Sequence, residues 1–307
     1  MGTRVHAELW AEDAESAGQT LAAVMAEMHR IDATFSPYIE TSELSQLNRL
    51  APKGWVNVSA EMLDLLARSR QVSELTDGAF DITYASVGRY YDFREGVRPD
   101  SAQIETGIAA IDYHYVELDV QAKRARFRHP GVYVDLGGIA KGYAVDRCMD
   151  IIRDAGIDQA SVSAGGDSRI LGDRRGQPWT VGIRDPRDEE RVVVLLPLED
   201  TAVSTSGDYE RFFEEDGVRY HHILDPQTGD SARRSMSVTI LGPDATLTDA
   251  LSTSVFVLGT GPGLALIDRL PGIDAIIIDA AGELHYSAEL AELARAAGPA
   301  PEPAESH

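Results

Sequence analysis

Val134-Asp135-Leu136-Gly137-Gly138-Ile139-Ala140-Lys141-Gly142 is the stretch on which the reading of this chain turns. An apolar run ends in paired glycines, and a helical pattern opens behind it with a lysine in its first turn. A strand that bends sharply into a helix aims backbone N–H groups and the positive helix end at one point, and Lys141 adds a point charge there. Such a turn prefers a phosphate or a carboxylate. It matches neither the Walker pattern nor Gly-x-Gly-x-x-Gly, so nucleotide binding by those routes is not indicated. An ordinary strand-to-helix turn has the same appearance, so the segment acquires meaning only from its surroundings.

Outward from this turn, strands and helices alternate. Val5 to Ala11 alternates apolar and polar residues and reads as a strand. Leu21, Val24, Met25, Met28, Ile31 and Phe35 recur at helical spacing, which assigns the methionines to a core face. Met62, Leu65, Leu66 and Val72 mark a second amphipathic helix that stops near Thr76-Asp77-Gly78. Tyr115 to Val120 and Ala125 to Asp135 are expected as paired strands, with a helix from Ile139 to Ala155 and a strand from Ala160 to Ala164 after them. Val192 to Leu196 and Ser237 to Leu241 are strand-like, and Thr248 to Leu258 reads as a helix with Thr248 as its N-cap. Ala275 to Asp279 and Glu283 to Tyr286 form an expected hairpin. The fold expected is α+β, with mixed sheets, packed helices and two lobes around a cleft. Residues 1–298 are taken as one domain, and the Pro- and Glu-rich residues 299–307 as a disordered tail.

Composition narrows the function. The 307 residues are 43% hydrophobic and 25% charged, as in a globular protein. The net charge of −22 argues against a nucleic-acid partner, which needs Lys and Arg to neutralise phosphates. It also means that an anionic ligand requires local compensation from a cation, a lysine or backbone N–H groups. The single cysteine, Cys148, lies at helical spacing with Ala144, Ile151 and Ile152 and reads as a buried hydrophobe. No apolar run is long enough for a transmembrane segment, and no export signal is legible.

Further chemistry gathers in four places. Thr248-Asp249-Ala250-Leu251-Ser252-Thr253 places the Asp249 and Thr253 oxygens on one helix face, with Ser252 beside them. A carboxylate and hydroxyls without His or Cys suit a hard cation, with Mg²⁺ the natural candidate. Arg219 to Gly229 contains His221-His222, two rings that point to opposite sides of an extended chain, followed by Asp225-Pro226 turn chemistry. Ser163-Ala164-Gly165-Gly166-Asp167 and Asp77-Gly78-Ala79-Phe80-Asp81-Ile82-Thr83 are two further glycine turns. Neither a Gly-x-Ser-x-Gly elbow nor a Cys/His pair is present, so a protein nucleophile has little support.

In order along the chain, these segments resemble the ApbE family of FAD:protein FMN transferases. The resemblance runs through Met1-Gly2-Thr3, Phe35-Ser36-x-Tyr38, Ser42-Glu43-Leu44-x-x-Leu47-Asn48, Gly78-x-Phe80-Asp81-Ile82-Thr83 and Asp135 to Gly142. It continues through Ala164-Gly165-Gly166-Asp167, Gly182-Ile183-Arg184-Asp185-Pro186, Ser206-Gly207-Asp208-Tyr209-Glu210-Arg211, His222-Ile223-Leu224-Asp225-Pro226 and Asp249-Ala250-x-Ser252-Thr253. The resemblance implies that the cleft takes FAD. Met1, Tyr38, Ala79, Phe80, Asp81, Asp135, Lys141, His222 and Ile223 would border the flavin nucleotide. Asp249 and Thr253, with Ser252 and the Gly138 carbonyl, would hold Mg²⁺. The reaction implied is transfer of FMN from FAD to a Thr or Ser hydroxyl of a bacterial redox or respiratory protein, with AMP released. His222 is the candidate for proton transfer and Asp249 the alternative base. A Mg²⁺-dependent FAD pyrophosphatase and a non-catalytic FAD carrier would use the same pocket. By resemblance the location is periplasmic, with a lipid anchor as an option for the full-length protein.

Overall fold

The computed structural model describes residues 3–297. Met1 and the 299–307 tail lie outside the described residues. Seven strands form one sheet in which every neighbouring pair is antiparallel, and their order in space is their order in sequence. They are β1 (Val5–Leu9), β2 (Ala160–Ala164), β3 (Asp167–Leu171), β4 (Ala202–Gly207), β5 (Ser235–Gly242), β6 (Asp274–Asp279) and β7 (Leu284–Tyr286). Long insertions separate these strands. Between β1 and β2 come α1 (Ala14–Phe35), α2 (Ala60–Leu75), α3 (Ala140–Asp154) and a small three-stranded sheet. A hairpin of Trp179–Asp185 and Asp188–Leu198 joins β3 to β4, and a shorter one, Phe212–Glu215 with Val218–His221, follows β4. The helix α4 (Ala245–Leu258) links β5 to β6.

Many of the buried apolar side chains gather in two clusters. The first joins Val24, Met28 and Ile31 of α1, Met62, Leu65 and Leu66 of α2, Ala144 and Val145 of α3, and Ala160 and Val162 of β2. Cys148 sits in it, buried, as its helical spacing indicated. The second joins Val238 and Ile240 of β5, Ala275 and Ile277 of β6, and Leu251, Val255 and Phe256 of α4. The α+β architecture with mixed sheets and packed helices is the one expected.

Three expectations are corrected. Met25 is 39% exposed on α1, and of the two methionines there Met28 alone joins the core. Ala125 to Asp135 is not one strand: the ladder covers only Arg124–Phe127. The chain beyond bends and turns through residues 128–131, and residues 133–135 then bond to side chains and to the Ile82 carbonyl instead of to a strand. Asn48 donates to the Val134 carbonyl and accepts from its N–H, both at 2.8 Å, while the Ser86 hydroxyl accepts from Tyr133 N at 3.0 Å. Helix α4 begins at Ala245 rather than at Thr248, with Asp244 as its N-cap, accepting from Leu247 N at 2.9 Å. The extra turn is secured from outside the helix. Asp146 of α3 accepts from Ala245 N (2.9 Å) and Thr246 N (2.8 Å), two donors that a helix start leaves without intrahelical partners. Thr248 is consequently buried and shares a hydrogen bond with Ser204 at 2.8 Å.

The helices α3 and α4 cross almost without clearance. A Cβ on Gly142 would lie 1.9 Å from the Ala245 carbonyl oxygen and 2.8 Å from Asp249 Cβ. Only a residue without a side chain allows this approach. The crossing brings the start of α3, with Lys141, against the face of α4 that carries Asp249 and Thr253.

Candidate active site

A cleft of about 420 Å³ opens where the glycine turn before α3, the ends of β2 and β4, α4 and the segments around Phe35, Phe80, Tyr133 and His222 converge. Its size is that of a small-molecule site. Tyr38, Ala79, Phe80, Asp81, Asp135, Gly138, Lys141, His222, Ile223 and Thr253 all line it, although they come from five separate stretches of sequence. Tyr38 stands at the rim, 82% exposed, an aromatic face presented to solvent. Phe80 is buried beneath Gly138. Asp249 and Ser252 lie one layer behind the wall.

The start of α3 does not offer its N–H groups as a free cradle. Gly137 N donates to Asp135 Oδ1 at 2.6 Å, and Ile139 N and Ala140 N both donate to the Leu136 carbonyl. Gly142 N donates to Asp249 Oδ2 at 3.0 Å. The anion-seeking turn is therefore partly filled by carboxylates of the chain itself. One consequence is that Gly142 does not bond to the carbonyl four residues back. Among the described residues no donor reaches the Gly138 carbonyl oxygen.

Lys141 is clamped between two acids. Its Nζ lies 2.8 Å from Asp249 Oδ1 and 2.8 Å from Asp167 Oδ2. Both carboxylates are almost wholly buried, with side-chain exposures of 2% for Asp167 and 3% for Asp249. Burial, and then the adjacent Asp249 carboxylate, push the Asp167 carboxyl up to about 7. Burial opposes the charge on Lys141, but the two carboxylates outweigh it and raise its pKa above the ordinary lysine value.

The remaining groups have distinct tasks. Asp81 faces the cleft, yet its oxygens accept from Thr83 N (2.8 Å), the Thr83 hydroxyl (2.6 Å) and Tyr113 N (2.8 Å), so it shapes the wall. Burial raises the pKa of Asp81 and of Asp135. Ser252 donates to the Asp249 carbonyl at 2.9 Å and pairs with the Ser206 hydroxyl at 2.8 Å. Ser206, at the end of β4, lines the cleft and stands 3.4 Å from Thr253 Oγ1. The two histidines separate as extended neighbours should. His221 is buried, with Nε2 at 2.7 Å from the Ala232 carbonyl, whereas His222 borders the cleft. The Nδ1 of His222 is buried without a hydrogen-bond partner among the described residues. Burial, then the positive charge of Arg211, holds its pKa down to about 3.

A hard cation fits the oxygens present. The Asp249 carboxylate, the Thr253 hydroxyl and the unpaired Gly138 carbonyl belong to adjoining residues. A Cβ on Gly138 would stand 3.4 Å from Thr253 Oγ1. All three donors are oxygens, as Mg²⁺ prefers.

The whole arrangement has counterparts among known proteins. Residues 1–277 match the ApbE family. The chain belongs to the ApbE family. A FAD:protein FMN transferase of Treponema pallidum is 34% identical over 257 residues, covering 78% of this chain and 71% of its own. One from Vibrio cholerae is 33% identical over 250 residues, covering 78% and 74%. The crystal structure of the ApbE protein of Thermotoga maritima matches with a TM-score of 0.88 at 38% identity, covering 95% of this chain and 96% of that one. The flavin transferase ApbE of Vibrio cholerae matches with a TM-score of 0.84 at 28% identity, covering 95% and 96%. Membership in the ApbE family agrees with the resemblance read from the motifs.

Sequence reasoning named the Ser206–Arg211 block without giving it a task. In the fold, Ser206, Gly207, Glu210 and Arg211 line the cleft, as do Tyr84, Arg89 and Tyr133. The Ser-Gly-Asp-Tyr-Glu-Arg motif was the available signal for the first four. Tyr84 and Arg89 arrive on short helical turns around residues 82–89 and Tyr133 on the segment before the glycine turn, approaches that no local pattern encodes.

Proposed function

We propose that the protein transfers the FMN half of FAD onto a Thr or Ser hydroxyl of a second protein and releases AMP, with Mg²⁺ required. The observation that carries this reading is the charge of the cleft floor. Two carboxyl groups, Asp167 and Asp249, converge on the one ammonium of Lys141 in a buried cluster, so the floor has no positive charge to spare for a phosphate. A pyrophosphate dianion added to it would meet strong repulsion at low dielectric, and a divalent cation restores the balance. Asp249, Thr253 and the Gly138 carbonyl would hold that cation. When bound, Mg²⁺ supplies charge neutralisation and orientation of phosphate oxygens.

The chain's own residues supply the rest. Tyr38 offers an aromatic face at the rim for a ring system, and Phe80 supports Gly138 from below. The acceptor oxygen forms a bond to the FMN-side phosphorus while the bridging P–O bond breaks and AMP departs with the bridging oxygen. The acceptor's proton goes to Nδ1 of His222, which has no partner among the described residues and accepts a proton in the tautomer that carries its hydrogen on Nε2. A basicity as low as that of free His222 is poor for this task. An anionic phosphate between the imidazole and the cations Arg211 and Lys141 raises it in the complex. We assign the acceptor to the bacterial redox or respiratory proteins of the periplasm, on the resemblance to the family.

The test is incubation with FAD, Mg²⁺ and a Thr-bearing acceptor protein, read by intact mass. A gain of one FMN on the acceptor is the expected result. Free FMN and AMP with an unmodified acceptor would indicate a pyrophosphatase, and intact FAD a carrier. Asp249→Ala should abolish turnover at saturating FAD, and retained Mg²⁺-dependent transfer would remove Asp249 from the metal site.

A further inference from the structure

We infer that Lys141 holds the place of the metal ion in the free protein, and that Asp167 is the positioning residue that keeps the lysine's ammonium when the cation takes Asp249. The inference rests on the proposal that Asp249 is a metal ligand. Both oxygens of Asp249 are engaged in the free protein, Oδ2 by Gly142 N at 3.0 Å and Oδ1 by Lys141 Nζ at 2.8 Å. A cation gains Oδ1 most directly by displacing the ammonium. An ammonium released into a half-buried site would lose its counter-charge and oppose the incoming cation at close range.

Asp167 removes that obstacle. It lies at the start of β3, directly after the Gly165-Gly166 turn, and already shares Lys141 at 2.8 Å. Only 2% of its side chain is exposed, and it does not line the cleft, whereas Thr253 and Gly138 do. It is thus placed to retain the ammonium on the far side while staying out of the ligand set. The pair of carboxylates forms a two-position berth for one lysine. With the metal absent the ammonium bridges both, and with the metal bound it is held by Asp167. The berth also confines Lys141 to the cleft wall, beside the phosphates, instead of leaving it on a free side chain.

The experiment is a double-mutant cycle on Mg²⁺ binding, measured by calorimetry without FAD, on the full chain. Lys141→Met should bind Mg²⁺ more tightly than the parent, because the competitor is gone. Asp167→Asn, nearly isosteric, should weaken Mg²⁺ about tenfold, within the range seen for touching charges, because Lys141 then pairs with Asp249 alone. In the Lys141→Met background the same Asp167→Asn change should cost less than about twofold if the residues act through each other. Weaker binding by Lys141→Met, or a tenfold loss from Asp167→Asn that persists without the lysine, overturns the inference. Lys141→Gln provides a polar second variant should the methionine disturb folding, which thermal unfolding will reveal. Asp249→Ala separates the two levels. If it binds Mg²⁺ like the parent, the metal reading itself fails. If it loses Mg²⁺ while Lys141→Met also weakens binding, only the berth fails.

Discussion

His222 shows how far one residue's environment departs from its ordinary chemistry. In the unfolded chain a histidine takes up a proton near pH 6.5, whereas folded His222 resists protonation until about pH 3. Between these values the unfolded state binds more protons, so this residue's contribution to stability declines as pH falls from about 6.5 toward 3. His222→Gln removes the penalty. Its melting temperature should therefore fall less than the parent's between about pH 6.5 and pH 4.5 by scanning calorimetry. Parallel curves for the two proteins would mean that the ring is freely protonated in the fold. Over the same interval the imidazole stays neutral, and the activity profile of the free enzyme should lack a histidine inflection near 6.5. Asp81 is instructive in the opposite sense. It lines the cleft, and burial raises its carboxyl pKa even though its oxygens accept hydrogen bonds from Thr83 and Tyr113.

At the scale of elements, the site is the crossing of α3 and α4. Gly142 permits the contact, Asp146 anchors the first turn of α4, and Arg169 of β3 pairs with Asp146 at 2.5 Å to tie the crossing to the sheet. Gly142→Ala forces a methyl group toward the Ala245 carbonyl oxygen. Overpacking of this kind should lower stability by about 1–3 kcal/mol in urea unfolding. The displaced helices should also lose the Gly142 N–H to Asp249 hydrogen bond, so Mg²⁺ affinity should fall with stability. A Gly142→Ala protein that keeps both would show that the helices can separate at no cost to the site. The alternation of strand and helix patterns foretold these elements within a few residues. The residue 132–136 stretch defeated it, because apolar extended chain looks alike whether a ladder or the Asn48 side chain satisfies its backbone.

For the whole molecule the governing quantity is the net charge of −22. A dianionic nucleotide approaches against this field until it reaches the locally compensated cleft. Raising ionic strength from about 0.01 M to 0.15 M shortens the screening length from about 30 Å to 8 Å. The association rate of FAD, followed by stopped-flow flavin fluorescence at saturating Mg²⁺, should therefore rise with salt. A rate that falls instead would show that the positive groups at the cleft dominate the long-range field. The sheet adds an organising feature at this scale. Its strands follow sequence order, and most residues that line the cleft come from the segments between them.

Local periodicity and residue chemistry were enough to place α1 and its core methionine Met28, the buried Cys148, the glycine turn into α3, and an oxygen-only set on α4. These depend on spacings of a few residues, which the chain carries wherever it folds. Lys141, Asp167 and Asp249 tell the other half. Lys141 and Asp249 are 108 positions apart, and nothing local states that the lysine meets two buried acids before it meets a phosphate. That outcome was decided by the contact of α3 with α4 and by the turn that leads into β3. Burial then converted three ordinary charges into one coupled group, because removing water makes each side chain's state depend on its neighbours. The turn at Val134 to Gly142 announced a place for negative charge. The tertiary structure determined that the first charges to occupy it belong to the protein.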